Sequence, residues 1–401
     1  MGTQMRSAGR HLPRAGSNRL LTIRTSRHDR RSAGLDGVRG LAALSVFGFH
    51  VWLYGAKGSK SDLSAQVFNE FRIGLICFFV LSGYLLYGAF ARAARRQAGE
   101  VPMRRYLLRR AARILPAYYV SLIGSLVLLE AIAGAPGVRL PDEGGFTLFF
   151  FFAQNYSGST IMKLNPVTWT LCLEVAFYVL LPVLGAFAYH LAKGRRGPQV
   201  ALLGGLVVLG LAWNVVGYLD AWHQPATKAL PAYLPYFAAG MLLSLFLEAR
   251  REDGRTLRLG AWSTAAVMLA GVAFVLGNGW WHATSPGLAH DPLLVALHDL
   301  PAGIGFALVI LAVVAGRGLS LGWLRSRPLA QLGVISYGFY LWHVPLILFV
   351  KATAAETPTA LELAALVAPL ALAAGAASWL WVERPLMNAV DSRLARAPAR
   401  A

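Results

Sequence analysis

The chain has 401 residues, of which 56% are hydrophobic and only 14% are charged. A soluble domain carries about 25% charged residues, so this composition excludes an ordinary water-soluble enzyme. The net charge of +19 would suggest a nucleic-acid partner on a soluble chain. In a membrane protein, an excess of Lys and Arg in cytoplasmic loops explains it better, and no nucleic-acid partner is expected.

Ten apolar segments are long enough to cross a bilayer, which takes about 20 mostly apolar residues. Breaks that contain Gly, Pro or charge separate them, as expected of loops. A further apolar stretch, 146–153, is too short to cross and is predicted to be re-entrant or interfacial. The predicted fold is an all-α membrane protein, a bundle of ten transmembrane helices plus one short re-entrant segment. The predicted spans are 35–54, 71–91, 113–134, 166–190, 198–219, 229–249, 258–281, 293–316, 328–351 and 359–382.

The basic residues predict the orientation of these spans. With the N-terminus inside, the cytoplasmic segments hold 30 of the 38 Lys and Arg, and the outer segments hold 7. This asymmetry follows the positive-inside rule and puts both termini in the cytoplasm. Residues 1–33 are polar and basic, with no signal-peptide core, and we expect a disordered tail that contacts anionic lipid. Residues 34–388 form the membrane domain, and 389–401 form a second cytoplasmic tail.

The first predicted span carries Arg39 and His50 in an otherwise apolar sequence. At 100° per residue the two side chains lie on one face, separated along the axis by roughly 16 Å. Arg39 is predicted near the cytoplasmic end and His50 in the outer half. Ionisable residues at membrane depth are costly, so each is a candidate functional residue.

The basic segment 92–113 aligns Arg105, Arg109 and Arg113 on one helix face. Such a face can bind the phosphates of a cytosolic donor. Membrane topology and anionic lipid explain the same charge equally well. The chain has no phosphate-binding loop, no dinucleotide motif and no HExxH zinc motif, so no metal and no nucleotide hydrolysis are expected.

Glu174 in the fourth span and His343 in the ninth are predicted at a depth similar to that of His50. Ser336 and Tyr340 share a helix face with His343. A histidine beside a carboxylate is suited to general base catalysis, since the carboxylate fixes the tautomer. A buried histidine that merely bridges two helices is the alternative. The cost of burying several ionisable groups together favours the functional interpretation.

His298 and Asp299, in the eighth span, are predicted to form a second polar cluster. Asp299 is also a rival to Glu174 as the acidic partner of His50.

These pieces together resemble the acyltransferase 3 family of integral membrane acyltransferases, over about residues 34–388. No single piece is specific, but their order along the predicted spans is typical of the family. The matching pieces are 35–40 with His50, 78–85, 109–116, 169–178, 335–343 and 383–385. Thr170 replaces a serine of the family pattern and keeps the hydroxyl.

The resemblance implies a membrane-bound O-acyltransferase of the bacterial plasma membrane. Acyl-CoA, with acetyl-CoA as the family default, would be a co-substrate, and no bound cofactor is expected. The acceptor would be a hydroxyl of a carbohydrate or of a macrolide. His50 and Glu174 would be catalytic, with Arg39, Arg105, Arg109 and Arg113 on the donor and Ser336, Tyr340 and His343 on the acceptor side.

A donor of pantetheine length could bridge the gap between the arginines and the histidine, so we expect a tunnel from Arg113 to His50. A transporter or flippase for a lipid-linked glycan is the rival interpretation, because it would share the spans and the buried ionisable groups. An inverted repeat would favour that rival, and the sequence has no evident one. A catalytically inactive scaffold is a third possibility, against which the intact His50 and Glu174 argue.

Overall fold

The computed structural model describes residues 27–55, 63–97, 99–220, 224–284, 291–316 and 321–396. These residues are helical, and their one extended pairing is an isolated bridge between Leu259 and Gly316. The helices are α1 (Arg27–Tyr54), α2 (Leu63–Glu70), α3 (Gly74–Arg96), α4 (Met103–Glu130), α5 (Glu143–Phe150), α6 (Trp169–Ala186), α7 (Arg196–Leu219), α8 (Gln224–Thr227), α9 (Leu230–Glu252), α10 (Ala261–Thr284), α11 (Pro292–Leu297), α12 (Leu300–Ala315), α13 (Arg327–Thr353), α14 (Ala360–Ala377) and α15 (Arg384–Arg396).

Nine helical segments in these described ranges are long and apolar enough to cross a membrane, which confirms an all-helical bundle. They coincide with the second to the tenth predicted spans. The first predicted span lies within α1 but is not among the nine, because Asp36, Arg39 and His50 interrupt its apolar sequence. The nine segments are Gln66–Arg96, Met103–Glu130, Pro166–Leu191, Arg196–Leu219, Pro225–Glu252, Ala261–Thr284, Pro292–Ala315, Arg327–Thr353 and Ala360–Arg396.

Both predicted tails are partly helical in the structure. Helix α1 begins at Arg27, inside the tail predicted over 1–33, and residues 1–26 lie outside the described residues. Helix α15 covers most of the tail predicted over 389–401. The short apolar segment forms α5, which is capped where the Asp142 carboxylate accepts a hydrogen bond from the Gly145 amide. The re-entrant placement of α5 stays a prediction.

Helix α3 lies at the centre of the bundle, where it packs against α1, α6, α9 and α12. Its contact with α9 is so close that a Cβ atom on Gly83 would lie 2.1 Å from the carbonyl oxygen of Phe237. A Cβ atom on Gly240 would lie 2.0 Å from the carbonyl oxygen of Val80. Small residues permit such close backbone approach between membrane helices.

Glycines also bring α1 and α13 together. A Cβ atom on Gly333 would lie 1.8 Å from the carbonyl oxygen of Asp36. A Cβ atom on Gly40, in α1, would lie 2.7 Å from the carbonyl oxygen of Leu329, in α13. Because both backbones are in contact near the start of the two helices, side chains further along them are held at short range.

Ion pairs gather at the end of the bundle where α1 begins, which we call the arginine end. Arg95 contacts Glu252 at 2.7 Å, Arg109 contacts Asp391 at 2.7 Å, and Arg196 hydrogen-bonds Asp253. The hydrogen bond from Arg196 lowers the pKa of the Asp253 carboxyl. These pairs join four segments that the positive-inside rule predicts on the same side of the membrane, so these segments meet at one end of the molecule. The segments are 92–113, 193–196, 250–258 and 384–400. Which side of the membrane this end faces stays a prediction.

We expect Gly333→Ala to destabilise the protein, because the new methyl group would overlap the α1 backbone. Overpacking of this kind costs about 1–3 kcal/mol of the free energy of unfolding. Thermal unfolding of the purified protein in detergent would measure the loss. Gly205→Ala, in α7, is the matched control, since its Cβ atom would have no neighbour within 4 Å. Equal stability of the two variants would contradict the close contact.

Candidate active site

A cavity of about 120 Å³ lies among α1, α3, α4, α6 and α13. We call it the central cavity. Its wall on α3 is mostly apolar, with Leu75, Phe78 and Phe79, and most of its polar residues come from the other helices. The polar lining residues are Arg39, Ser82, Arg110, Arg113, Thr170, Glu174, Tyr178, Ser336, Tyr337 and Tyr340.

Three guanidinium groups, those of Arg39, Arg110 and Arg113, line this cavity. Arg39 contacts Asp36 at 3.3 Å, and Arg113 contacts the fully buried Glu383 at 3.1 Å. These two carboxylates each accompany one guanidinium group, and Glu174 is the one carboxylate among the lining residues of the cavity.

Two of the four arginines predicted to bind the donor do not line the central cavity. Arg105 is exposed, and Arg109 forms its ion pair with Asp391. The predicted face joined Arg105, Arg109 and Arg113, whereas the structure turns Arg110 and Arg113 inward. Arg110 was missed because its spacing from Arg113 also fits one face of a helix, and spacing alone cannot say which face is buried.

Glu174 is half-buried in α6 and accepts two hydrogen bonds. The Tyr178 hydroxyl donates at 2.6 Å and the Ser82 hydroxyl donates at 3.1 Å. Glu174 and Tyr178 are four residues apart on α6 and therefore lie on the same helix face. The predicted pairing of Glu174 with His50 is wrong in this structure, because the carboxylate is turned toward α3 and its own helix instead.

The partner of His50 is a second histidine. Nδ1 of His50 lies 3.0 Å from Nε2 of His343, and it also lies 2.9 Å from the carbonyl oxygen of Val46. Nδ1 of His343 lies 2.7 Å from the carbonyl oxygen of Tyr340. His343 is buried, whereas His50 is half-buried and stacks on Tyr54. We call these two residues the histidine pair.

The carbonyl of Tyr340 determines which nitrogens carry protons. A carbonyl oxygen can only accept, so Nδ1 of a neutral His343 donates to it and Nε2 is left as an acceptor. Nδ1–H of His50 then faces two acceptors, Nε2 of His343 and the carbonyl oxygen of Val46, so Nδ1 is the protonated nitrogen of His50. Consequently Nε2 of a neutral His50 carries a lone pair that can accept a proton, which is the state that a general base needs.

Tyr340 separates the histidine pair from the central cavity. Its ring lines the cavity and lies 5.6 Å from the ring of His343. Its hydroxyl lies 2.9 Å from the Thr170 hydroxyl and donates to the carbonyl oxygen of Val167 at 3.2 Å. His50 is not among the lining residues, so the predicted continuous tunnel from Arg113 to His50 is wrong in this conformation.

The predicted acceptor-side residues divide between these two places. Ser336 and Tyr340 line the central cavity, and His343 belongs to the histidine pair. The Ser336 hydroxyl donates to the carbonyl oxygen of Gly333, one turn earlier in α13.

A second polar cluster forms around Arg72, as expected for His298 and Asp299. Arg72 binds both carboxylate oxygens of Asp299, at 2.7 and 3.0 Å, so Asp299 is not the partner of His50. Donor atoms of His282, His298 and Asp299 lie within 4.8 Å of one another, as in a metal site, although sequence spacing predicted no metal. Both ring nitrogens of His282 already contact Glu70 and the His298 carbonyl, and the Arg72 cation opposes a metal ion at Asp299.

The comparisons with known proteins concern most of the chain. The profile of the acyltransferase 3 family, described as an acyltransferase domain, matches residues 32–382. The chain is 25% identical over 350 residues to the peptidoglycan O-acetyltransferase OatA of Listeria monocytogenes, covering 81% of this chain and 51% of that protein. It is 27% identical over 339 residues to the putative peptidoglycan O-acetyltransferase YrhL of Bacillus subtilis, covering 80% and 49%.

The O-acetyltransferase OatA of Staphylococcus aureus is 24% identical over 337 residues, covering 80% of this chain and 51% of that protein. The chain therefore spans about half the length of these relatives. No solved structure matches significantly.

We expect Arg113→Met to be strongly destabilising, because Glu383 would be left as an unpaired buried carboxylate. Breaking a buried pair in this way costs about 3–5 kcal/mol. The double variant Arg113→Met with Glu383→Met should recover most of that loss in a thermal unfolding assay. Arg109→Met, which breaks an exposed pair, is the control and should cost about 0–1 kcal/mol. A double variant as unstable as the sum of its single variants would contradict the pairing.

Proposed function

We propose that this chain, which belongs to the acyltransferase 3 family, is a membrane O-acyltransferase that moves an acetyl or similar acyl group from acyl-CoA to a carbohydrate hydroxyl. The observation that carries the proposal is the histidine pair, held at 3.0 Å beside an arginine-lined cavity. A membrane-embedded histidine with a free lone pair has a clear use in such a transfer.

The donor would enter from the arginine end, which we take to be cytoplasmic. Coenzyme A carries several phosphate groups, and Arg39, Arg110 and Arg113 supply the guanidinium groups that bind phosphates well. Glu383 contacts Arg113 at 3.1 Å and holds it at the cavity wall. The pantetheine arm and its thioester would then point along the central cavity toward Tyr340.

His50 would act as the general base. Its Nε2 would take the proton of the acceptor hydroxyl while the oxygen attacks the thioester carbonyl carbon. Collapse of the tetrahedral intermediate breaks the C–S bond, and the sulfur takes the proton back from His50, which yields the ester and free coenzyme A. His343 would keep the His50 ring in the reactive tautomer throughout, and Glu174 would shape the cavity through Ser82 and Tyr178.

Tyr340 would have to move for the thioester to reach His50. Its ring is held by hydroxyl contacts with Thr170 and Val167 and stands between the cavity and the histidine pair. We propose that donor binding turns the Tyr340 side chain aside. The thioester then reaches His50 from the central cavity only when the donor is bound.

The relatives support a carbohydrate as the acceptor, since two of them are named as peptidoglycan O-acetyltransferases. His50 lies near the C-terminal end of α1, away from the arginine end. This separation is consistent with a donor that arrives from one side of the membrane and an acceptor that arrives from the other.

We expect His50→Ala to lose about 10²–10⁴-fold in kcat for transfer, the usual contribution of a general base. The assay would use full-length protein in nanodiscs, radiolabelled acetyl-CoA and an oligosaccharide acceptor. His343→Gln should keep part of the activity, because its side-chain oxygen can accept from Nδ1 of His50, whereas His343→Leu cannot.

His190→Ala is the control for these variants, since His190 contacts Glu100 at the exposed surface. Transfer that survives His50→Ala in folded protein would contradict the assignment of the base. Equal activities of His343→Gln and His343→Leu would contradict the role of His343. Folded wild-type protein that neither binds nor turns over acetyl-CoA would overturn the proposed donor.

We expect Arg110→Gln to weaken binding of coenzyme A about tenfold, because it removes a charged hydrogen bond to phosphate. The weakening should diminish at high salt, and kcat at saturating donor should change little. Arg105→Gln removes the same charge from the same helix but lies outside the cavity, and it should bind coenzyme A like the wild type. Equal effects of the two substitutions would indicate nonspecific attraction rather than a phosphate site.

A further inference from the structure

We propose that a second cavity, formed mainly by α7, α9 and α11, binds a neutral oligosaccharide. It has a volume of about 540 Å³, within the range of about 300–1,000 Å³ that small-molecule sites occupy. We call it the aromatic pocket. Its identification as a subsite for the acceptor, rather than for another glycan, rests on the proposed function. The lining residues that carry the argument are Trp213, Asn214, Tyr218, Tyr233, Tyr236 and Asp299.

Aromatic side chains supply most of the walls of this pocket. Trp213 and Tyr218 come from α7, and Tyr233 and Tyr236 come from α9. Aromatic rings combine a flat apolar face with a polar edge. A sugar ring has the complementary character, with apolar C–H faces and a rim of hydroxyl groups, so it can stack on a wall and hydrogen-bond at its edge.

The polar atoms of the pocket suit hydroxyl groups. Tyr233 and Tyr236 both line the pocket, and among the described residues no hydrogen bond is made by either hydroxyl. Each can donate and accept. The Asn214 amide donates to the carbonyl oxygen of Ala232, which leaves its side-chain oxygen as an acceptor. Asp299 supplies further acceptor positions at one end.

The charged groups at this end are already paired with one another, which favours a neutral ligand. Arg72 binds Asp299 through two contacts, and Glu70 contacts His282 at 2.9 Å and lies 3.7 Å from Arg72. A phosphate would have to displace Asp299 from Arg72, and a cation would have to displace Arg72 from Asp299. A neutral polyol needs neither exchange, because it can accept from and donate to these groups as they stand.

The aromatic pocket lies beside the central cavity. Tyr233 packs against Phe79 at 5.3 Å and against Trp169 at 5.4 Å. Phe79 lines the central cavity, and Trp169 begins the helix that carries Glu174 into it. One layer of rings therefore separates the two spaces. An oligosaccharide anchored in the aromatic pocket would be retained next to the donor cavity while another of its sugar units reacts.

Binding of chitotetraose and of maltotetraose to full-length protein in nanodiscs, without donor, tests the proposal. We expect saturable binding of at least one of them by wild-type protein and by His50→Ala. The double variant Tyr233→Phe/Tyr236→Phe should bind at least about tenfold more weakly, since two hydrogen bonds are lost. Tyr119→Phe, which removes a hydroxyl that donates to Phe150 outside the pocket, is the control. Wild-type protein that binds neither sugar, or a double variant that binds as well as wild type, would overturn the proposal.

A second measurement does not depend on the folding of the tyrosine variants. Both native cysteines, Cys77 and Cys172, are buried, so Thr227→Cys creates one exposed thiol at the pocket. We expect the bound sugar to slow its alkylation by a maleimide severalfold and to leave Ser392→Cys, exposed on α15 at the arginine end, unaffected. Unchanged alkylation of Thr227→Cys at saturating sugar would contradict the site. Retained sugar binding in protein that fails to turn over acetyl-CoA would refute the acyltransferase function and support the pocket.

Discussion

The close backbone contact between α1 and α13 is the constraint on which the candidate site depends. Gly40 and Gly333 let the two helices touch near their starts, where any side chain would collide with a carbonyl oxygen. Further along the same helices, His50 and His343 come within 3.0 Å of each other. Both residues are thus positioned by rigid helices rather than by loops, and their spacing follows from packing of the backbone. Glycines, which have no side chain, thus allow the backbone contact that positions the histidine pair.

Charge is arranged in two separate layers of the bundle. The exposed arginines of the arginine end pair with Glu252, Asp253 and Asp391, which join the ends of different helices. The inward-facing Arg110 and Arg113 line the central cavity instead. The first layer joins helix ends through exposed pairs, and the second places guanidinium groups in the central cavity. Within the second layer, Arg113 also neutralises the buried Glu383, so its charge serves stability as well, whereas Arg110 adds positive charge to the cavity.

The sequence was sufficient for much of this arrangement and insufficient for its rotations. Hydropathy predicted the nine long apolar helices of the described residues, since a span must be apolar over most of its length. Similar depth was predicted for His50, Glu174 and His343, and the structure places the two histidines in contact. The choice of Glu174 as the partner failed, because the rotation of α6 about its axis depends on packing that no single helix encodes. The same limit explains why Arg109 was chosen over Arg110. Helix α1 begins at Arg27, earlier than the predicted span, because hydropathy marks the apolar part of a helix and not its first residue.

In the proposed acyl transfer, the histidine pair has a consequence for how charge is handled. In a serine-protease-like triad, a buried carboxylate offsets the positive charge of the protonated histidine. Here the relay from His50 through His343 ends on the Tyr340 carbonyl, so it contains no formal negative charge. A proton taken up by His50 would have its nearest counter-charge on the substrate itself, first on the tetrahedral oxygen and then on the departing sulfur. Such a relay favours the protonated state of His50 only while the reacting anion is present. The proposed base therefore depends on a bound donor, and the resting protein does not hold the extra proton.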